Sequence, residues 1–498
     1  MVRIGDIITQ NPWWKLGRDF VRYDPDFKKA GPVFFNRRRI EFKRGDIYLF
    51  RGPRQAGKTT YFKAIIKELI ERNVAPNHIL YLSLDLFHSR REMRNAIDYF
   101  INSNVDAPEM FFFFDEVTSI DGWNFELKSM ADKGITQKGI VLATGSSPIK
   151  LKEKGELMPG RGIEGNEYYI KPLSFREFIV QSVDWIERYL QGPEEFLNAL
   201  RKLSALLRDC FIDLSWDMED IKKAAQKIIP FKREISYFFE IYLMTGGFPG
   251  VINHYFSNRY LNDKNFIAPQ MSEVFIRDVL GDLSRLQKQE IIARQILKAI
   301  VERYGSRFSI SNLSREIERS HPTTMEYLEC LEDAFICFTL YPYDFNKKTP
   351  RLKGEKKVYF FDPMVYHSIK SYLKGEEFWH TITGTKEDEA LQGKIVEGVV
   401  LSHLIMHREI PFLRNPITFL WYYYDKSGKE IDAIFKNDGY WGVEIKYKSE
   451  VNEKDIKRLN PVKKYIVLSK ESAGGDGEVI IIPVDVFLSL LPPSEKNV

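Results

Sequence analysis

The residues best suited to do chemistry run from Gly52 to Thr60, as Gly52-Pro53-Arg54-Gln55-Ala56-Gly57-Lys58-Thr59-Thr60. Glycines at both ends of such a loop let backbone N–H groups turn inward around phosphate oxygens, and a helix starting there adds the positive end of its dipole. In this pattern Lys58 reaches the β- and γ-phosphates and the Thr59 hydroxyl ligates Mg²⁺. A second set, Asp115-Glu116, ends the run Met110-Phe111-Phe112-Phe113-Phe114. Asp115 is suited to hold Mg²⁺ through water, and Glu116 to orient or deprotonate the water that attacks the γ-phosphate. A third, Thr144-Gly145-Ser146-Ser147, follows another apolar run. Either Thr144 or Ser146 can offer a hydroxyl to the γ-phosphate or the attacking water, with plain turn chemistry as the competing reading. The ligand implied is ATP, ahead of GTP, with Mg²⁺.

These groups need elements to hold them. Residues 47–50 form a short apolar strand before the glycine loop, and Phe62, Ile65, Ile66 and Leu69 after it recur with a helical period. The wholly apolar run 110–114 predicts a central parallel strand covered on both faces. Further strands are expected over 79–84, 139–143 and 168–170. The fold class is therefore α/β, with a parallel sheet and flanking helices carrying the phosphate loop.

Four strings carry a resemblance: Asp115-Glu-Val-Thr-Ser-Ile-Asp-Gly-Trp123, Leu-Ala-Thr-Gly-Ser-Ser-Pro-Ile-Lys-Leu over 142–151, the pair Gly160-Arg161, and Lys171-Pro-Leu-Ser-Phe-Arg-Glu-Phe178. Together they resemble the AAA+ P-loop ATPases of a large prokaryotic family abundant in archaea. The resemblance implies an ATPase domain (1–172), a helical lid (173–292), a winged helix (293–345) and a C-terminal restriction-endonuclease-like domain (355–498). It also implies that Arg161 sits where such proteins carry an arginine finger. There a guanidinium from a neighbouring subunit of a homo-oligomer would stabilise charge on the transferred phosphoryl group. An arginine salt-bridged within its loop is the alternative. Nothing recognisable marks 180–235.

In the middle of the chain the aromatics Tyr237, Phe238, Phe239 and Tyr242 fall at helical spacing, which points to core rather than a base-stacking platform. Thr245-Gly-Gly-Phe-Pro-Gly250 marks a tight turn. Over 295–342, a short helix 308–317, a turn at Ser320-His321-Pro322, a helix with Met325, Leu328 and Leu331 buried, and a strand 335–340 read as a winged helix. Its second helix carries Glu326, Glu329, Glu332 and Asp333, which phosphates repel, leaving Thr323 and Thr324 as docking groups for DNA, with a structural or protein-contact role as the competing and slightly favoured reading. The basic stretch 346–357 is either a solvated loop or a phosphate-binding strip.

A second site is expected near the C-terminus. In a helix over 393–406, Glu397 shares a face with Val400, Leu401 and Leu404 and so points toward the sheet. Strands 429–435 and 440–447 flank Asn437-Asp438-Gly439. A three-residue hairpin loop pairs Lys436 with Tyr440 and sets Asp432 opposite Glu444. Period two then puts Glu444 and Lys446 on one face. Facing carboxylates repel unless a divalent cation lies between them. The set resembles the PD-(D/E)XK nuclease core, which implies Mg²⁺ at Asp432 and Glu444, with Glu397 assisting and Lys446 positioning a water.

The bulk numbers bound these expectations. The 498 residues, 44% hydrophobic and 29% charged, suit a multidomain globular protein. A net charge of +4 leaves any nucleic-acid surface local. Cys210, Cys330 and Cys337 suggest buried, reduced thiols. No apolar leader opens the chain and no window reaches the roughly 18 to 20 apolar residues of a membrane span. A cytoplasmic protein without a membrane partner is expected, with nucleic acid, DNA foremost, as partner. The leading function is an ATPase that binds or processes nucleic acid. The alternative is an ATP-gated switch that uses the same domains as scaffolds without cleavage.

Overall fold

The computed structural model describes residues 4–29, 36–145, 165–190, 192–215, 217–285, 288–408, 416–452, 456, 458–475 and 477–498. Ser146 and Arg161 lie outside the described residues. The chain divides into two compact units, Met1–Lys171 with Glu495–Val498, and Pro172–Ser494.

The first unit is built on five parallel strands: β1 (Ile47–Arg51), β2 (Ile79–Ser83), β3 (Met110–Asp115), β4 (Gly139–Gly145) and β5 (Glu167–Tyr169), in the order β2-β3-β4-β1-β5. The apolar run of β3 feeds both faces: Phe112 and Phe114 pack with Leu49, Leu82 and Trp123 on one side, and Phe111 and Phe113 with Phe50 and Phe62 on the other. Side chains successive along a strand point oppositely, so a strand covered twice is apolar throughout. Both sheet edges are satisfied. Gln10 Oε1 and Asn11 Oδ1 accept from the amides of Ser83 and Tyr81 on β2, each at 2.7 Å, and Trp13 and Trp14 donate to Ile79 O. Along β5, Tyr169 N donates to Lys496 O at 2.7 Å and Val498 N to Tyr169 O at 2.9 Å, which is why the last residues belong to this unit. Such cover removes the open pairing groups of an edge strand.

The second unit begins with helices Phe175–Tyr189, Glu194–Asp209, Met218–Ile228, Lys232–Thr245, Pro249–Phe256 and Pro269–Arg285. The first starts at Ser174 in a capping box with Glu177. Phe175, Phe178, Phe238, Phe239 and Tyr242 meet edge to face and are buried, as core. The turn after Thr245 has Gly246 at φ 62°, and a Cβ there would lie 1.8 Å from Asp362 Oδ1. Asp362, fully enclosed, accepts from Gly247 N and Met364 N at 2.8 Å each.

Next come helix Glu290–Glu302, a bridge between Phe308 and Lys356, helices Ile310–Glu316 and His321–Asp333, and strand β6 (Cys337–Leu340). The short strands β7 (Tyr343–Asp344) and β8 (Thr349–Pro350) form a hairpin, and β9 (Lys357–Phe360) returns antiparallel to β6. Thr324 is a correction to its expected docking role: it is completely buried, and its hydroxyl bonds Ser320 O at 3.0 Å and Ser314 Oγ at 2.9 Å. The helix pair uses it for packing. Glu326 is paired with Lys288.

The C-terminal sheet has the order β10-β11-β12-β13-β14, from β10 (Trp421–Tyr424), β11 (Glu430–Asn437), β12 (Gly439–Lys446), β13 (Val462–Ser469) and β14 (Val479–Pro483). The first two pairings are antiparallel and the last two parallel. Lys436 pairs with Tyr440, but the turn is tighter than a three-residue loop: Asn437 also pairs with Gly439, whose φ is 136°. Trp441 Nε1 bonds Asp438 Oδ1 at 2.7 Å and holds that tip. The helix Glu389–Arg408 is buried along most of its last turns.

Candidate functional sites

In the first unit the strand order explains the site. β4 lies between β1, which leads into the glycine loop, and β3, which ends in Asp115, so Thr144 emerges between the two motifs. Gly52 is required because β5 passes so close that a Cβ would come within 1.9 Å of Ile170 O. Gln55 and Gly57 take φ 61° and 92°, which bends the loop, and the helix Lys58–Glu71 follows directly. Buried Arg37 donates to Ala56 O at 2.7 Å and fixes the loop's outer side. Lys58 Nζ reaches Gly52 O at 3.1 Å and Pro53 O at 3.0 Å, so its ammonium sits inside the loop's mouth.

Asp115 is the hub. Its Oδ2 accepts from Thr59 Oγ1 at 2.6 Å and Tyr81 OH at 2.9 Å, and its Oδ1 accepts from Thr144 Oγ1. Thr144 Oγ1 in turn accepts from Glu116 N at 3.1 Å. Burial, and then the charge of Glu116, push the Asp115 carboxyl upward, while hydrogen bonds from Thr144, Thr59 and Tyr81 oppose that. Glu116 has φ 54°, a left-handed conformation that costs a non-glycine residue about 1–3 kcal/mol and is tolerated where function demands it. The structure thus brings Lys58, Thr59, Asp115, Glu116 and Thr144 together. Tyr81 and Arg37 were missed from the sequence alone: Tyr81 is one polar ring in an apolar strand, legible only once the sheet order is known, and Arg37 is one of three successive arginines with nothing in the sequence to set it apart. Thr59 and Asp115 form an oxygen-only pair of the type Mg²⁺ selects.

The second unit gathers four carboxylates and two lysines. Glu397, on the helix Glu389–Arg408, accepts at Oε1 from Lys357 Nζ at 2.9 Å and from Tyr359 OH. Lys357 also lies 2.6 Å from Glu430 Oε1 and 3.8 Å from Asp432 Oδ1. Asp432 Oδ2 accepts from Ile445 N at 2.8 Å, which ties it to the strand opposite. Lys446 Nζ is 2.8 Å from Glu444 Oε2. Glu444 is 2% exposed, and among the described residues its Oε1 has no partner. Burial, then Asp432, push its carboxyl up to about 7 against the pull of Lys446. Burial alone would lower the Lys357 amine, but Glu397, Asp432 and Glu430 outweigh it and hold it up.

Glu397, Asp432, Glu444 and Lys446 therefore converge as a cluster. Lys357 and Glu430 join them without having been expected. Period two carries the signal for both: Lys357 and Tyr359 share a face of β9, and Glu430 and Asp432 share a face of β11. Among the described residues no three His, Cys, Asp or Glu side chains form a ready cage for a metal. A cation at Asp432 and Glu444 would complete its shell with water or substrate oxygen.

With this geometry in view, comparison with known proteins places the parts. Residues 44–179 match the family model described as AAA domain, 237–374 the Domain of unknown function (DUF8612), and 392–485 the Domain of unknown function (DUF4143). The first unit is a P-loop ATPase domain of the AAA type. Two uncharacterized proteins of Methanocaldococcus jannaschii are each 24% identical: one over 462 residues (91% of this chain, 86% of the relative), the other over 424 (83% and 76%). An uncharacterized Haemophilus influenzae protein is 23% identical over 336 residues (65% and 69%). Among solved structures, a Walker-type ATPase of Pyrococcus abyssi is similar at 16% identity, covering 65% of this chain and 91% of that one, with a TM-score of 0.38. Cdc6p from Pyrobaculum aerophilum matches at 13% identity, 66% and 88%, with a TM-score of 0.25. Among the described residues no helix is long and apolar enough to cross a membrane.

Proposed function

We propose that the protein is an ATP-hydrolysing machine that acts on nucleic acid, with a C-terminal site built for metal-assisted attack on a phosphodiester. The observation that carries this reading is Glu444: a buried carboxylate oxygen with no partner among the described residues, beside Asp432 and Lys446. A buried acceptor left unmade costs about 1–3 kcal/mol, and a cation or a ligand's proton would relieve that. Asp432 and Glu444 would hold a divalent cation, which supplies charge neutralisation and a more acidic bound water. Lys446 would orient the attacking water or meet phosphate charge. In the first unit Lys58 would bind the β- and γ-phosphates of ATP, Thr59 and Asp115 would hold Mg²⁺, and Glu116 would align the attacking water. We read the helix, bridge, two helices and β6–β9 pair over 290–360 as a winged helix whose acidic second helix, with Thr324 buried, suits packing or a protein contact better than phosphates. A homo-oligomer in which Arg161 completes a neighbour's site belongs to the same proposal.

The test is direct. Full-length protein with Mg²⁺ or Mn²⁺ is offered labelled DNA and RNA in single-stranded, duplex and branched forms, with and without ATP. Binding is expected, with nicking lost in Glu444→Gln. If no form is bound or nicked, while Lys58→Ala abolishes a robust ATPase, the reading fails. A second reading, an ATP-gated switch that uses its C-terminal half as a scaffold, draws support from Lys357 and Lys446, which already neutralise much of the cluster. It predicts nucleotide-dependent assembly with no nucleic-acid stimulation of turnover.

A further inference from the structure

The C-terminal cluster is chemically lopsided. On one side, Glu397 Oε1 takes both Lys357 and Tyr359, and Glu430 Oε1 lies 2.6 Å from the same ammonium. Lys357 is 2% exposed, so nothing in bulk water competes for its protons. An ammonium has three donors in a compact point charge, and here Glu397 and Glu430 face it closely, with Asp432 Oδ1 farther off at 3.8 Å. On the other side, Glu444 Oε1 is buried with no partner among the described residues, and only Oε2 is engaged, by Lys446. One half of the site closes its carboxylates around an ammonium; in the other, Lys446 meets Glu444 Oε2 and leaves Oε1 without a partner among the described residues.

We propose that Lys357 is a resident cation that permanently fills the Glu397–Glu430 half, so that the site accepts a single divalent ion, at Asp432 and Glu444. The proposal rests on the reading of Asp432 and Glu444 as a cation site and specifies its stoichiometry. Charge supports it. Four carboxylates face Lys357 and Lys446, with Arg307 3.5 Å from Glu430 at the solvent edge. The remainder is two negatives, or one with Arg307 counted; one divalent cation brings it to zero or one positive, whereas a second would leave two or three positives. The lone pairs that a second ion would need on Glu397 Oε1 are spent on Lys357 and Tyr359. Lys357 is thus a positioning residue: it holds Glu397 and Glu430 away from the metal and leaves Asp432 shared between the halves.

The experiment counts ions. Nucleotide-free, full-length protein carrying Asp115→Asn, which disables the ATPase metal site, is titrated with Mn²⁺ and read by electron paramagnetic resonance. One Mn²⁺ per chain is expected, lost in Glu444→Gln and kept in Glu397→Gln. Two per chain, or loss in Glu397→Gln, overturns the role of Lys357 while leaving the metal reading standing. No Mn²⁺ at all overturns both. Lys357→Met is expected to raise the count to two and Lys357→Arg to keep it at one; a lysine that only supports packing would leave the count at one in both. If Lys357→Met does not fold, the Glu397→Gln count decides.

Discussion

Thr144 Oγ1 donates to Asp115 Oδ1 across neighbouring strands while accepting from the Glu116 amide. One hydroxyl therefore orients both carboxylate residues at the end of β3. Replacing it with valine keeps the shape and removes both bonds. Thr144→Val is expected to lower kcat for ATP hydrolysis by about tenfold to a hundredfold, the equivalent of about 1.4–2.7 kcal/mol for the two lost bonds that align Asp115 and Glu116. Affinity for a non-hydrolysable ATP analogue should change little, because the glycine loop is untouched. Equal losses in binding and turnover would show that Thr144 acts on the fold instead.

Tyr81 OH adds a third donor to Asp115, at 2.9 Å from Oδ2. It favours the charged carboxylate that a magnesium site needs. Tyr81→Phe removes a bond worth about 1 kcal/mol, which corresponds to roughly a fivefold rise in the Mg²⁺ concentration for half-maximal ATPase activity. A magnesium titration of the variant reads this, and an unchanged midpoint would rule out the role.

How much of this could be read from the sequence depends on how local each signal is. The glycine loop, Asp115-Glu116 and the hairpin register from Lys436–Tyr440 to Ala433–Val443 are legible because each follows from spacing within one loop or hairpin. Lys357 was not. It sits in a basic stretch that reads as a solvated loop or a phosphate-binding strip, and its burial arises from β9 pairing with β6 and facing a helix some forty positions later. Thr324 misled for the same reason: a threonine near a helix start looks available until the neighbouring helix supplies Ser314. Tyr81 needed the order of β2 and β3, which no strand announces on its own.

The turn at Gly246 is a demanding backbone position in the second unit. Its φ of 62° disfavours a side chain, and a Cβ would overlap Asp362 Oδ1. Gly246→Ala is expected to destabilise the protein by more than about 3 kcal/mol, combining conformational strain with steric conflict. At Gly250, which lies in the helix that follows, an added Cβ would meet nothing within 4 Å. Gly250→Ala should be neutral or stabilising by up to about 1 kcal/mol. Urea unfolding of the two variants makes the comparison, and similar midpoints would contradict it.

Asp362 gives the second unit a defined pH dependence. Complete burial pushes its carboxyl from 3.8 up to about 7, although the Gly247 and Met364 amides pull the other way. The folded state then binds this proton more tightly than the unfolded chain. Its contribution is fully present below about pH 4 and is lost as pH rises through about 7, amounting to about 4 kcal/mol at most. His367 and His403 act in the opposite sense. Burial lowers each to about 4, so both cost stability as pH falls from 6.5 toward 4. A wild-type profile therefore mixes the two trends, whereas the difference between wild type and Asp362→Asn cancels the histidines. Asparagine does not titrate, and it gives up the bond to Gly247 or Met364 at every pH. The variant should be the less stable protein at pH 4 and should gain on wild type steadily up to about pH 7.5. A constant offset across that range, measured by urea unfolding, would show that Asp362 is ionised throughout.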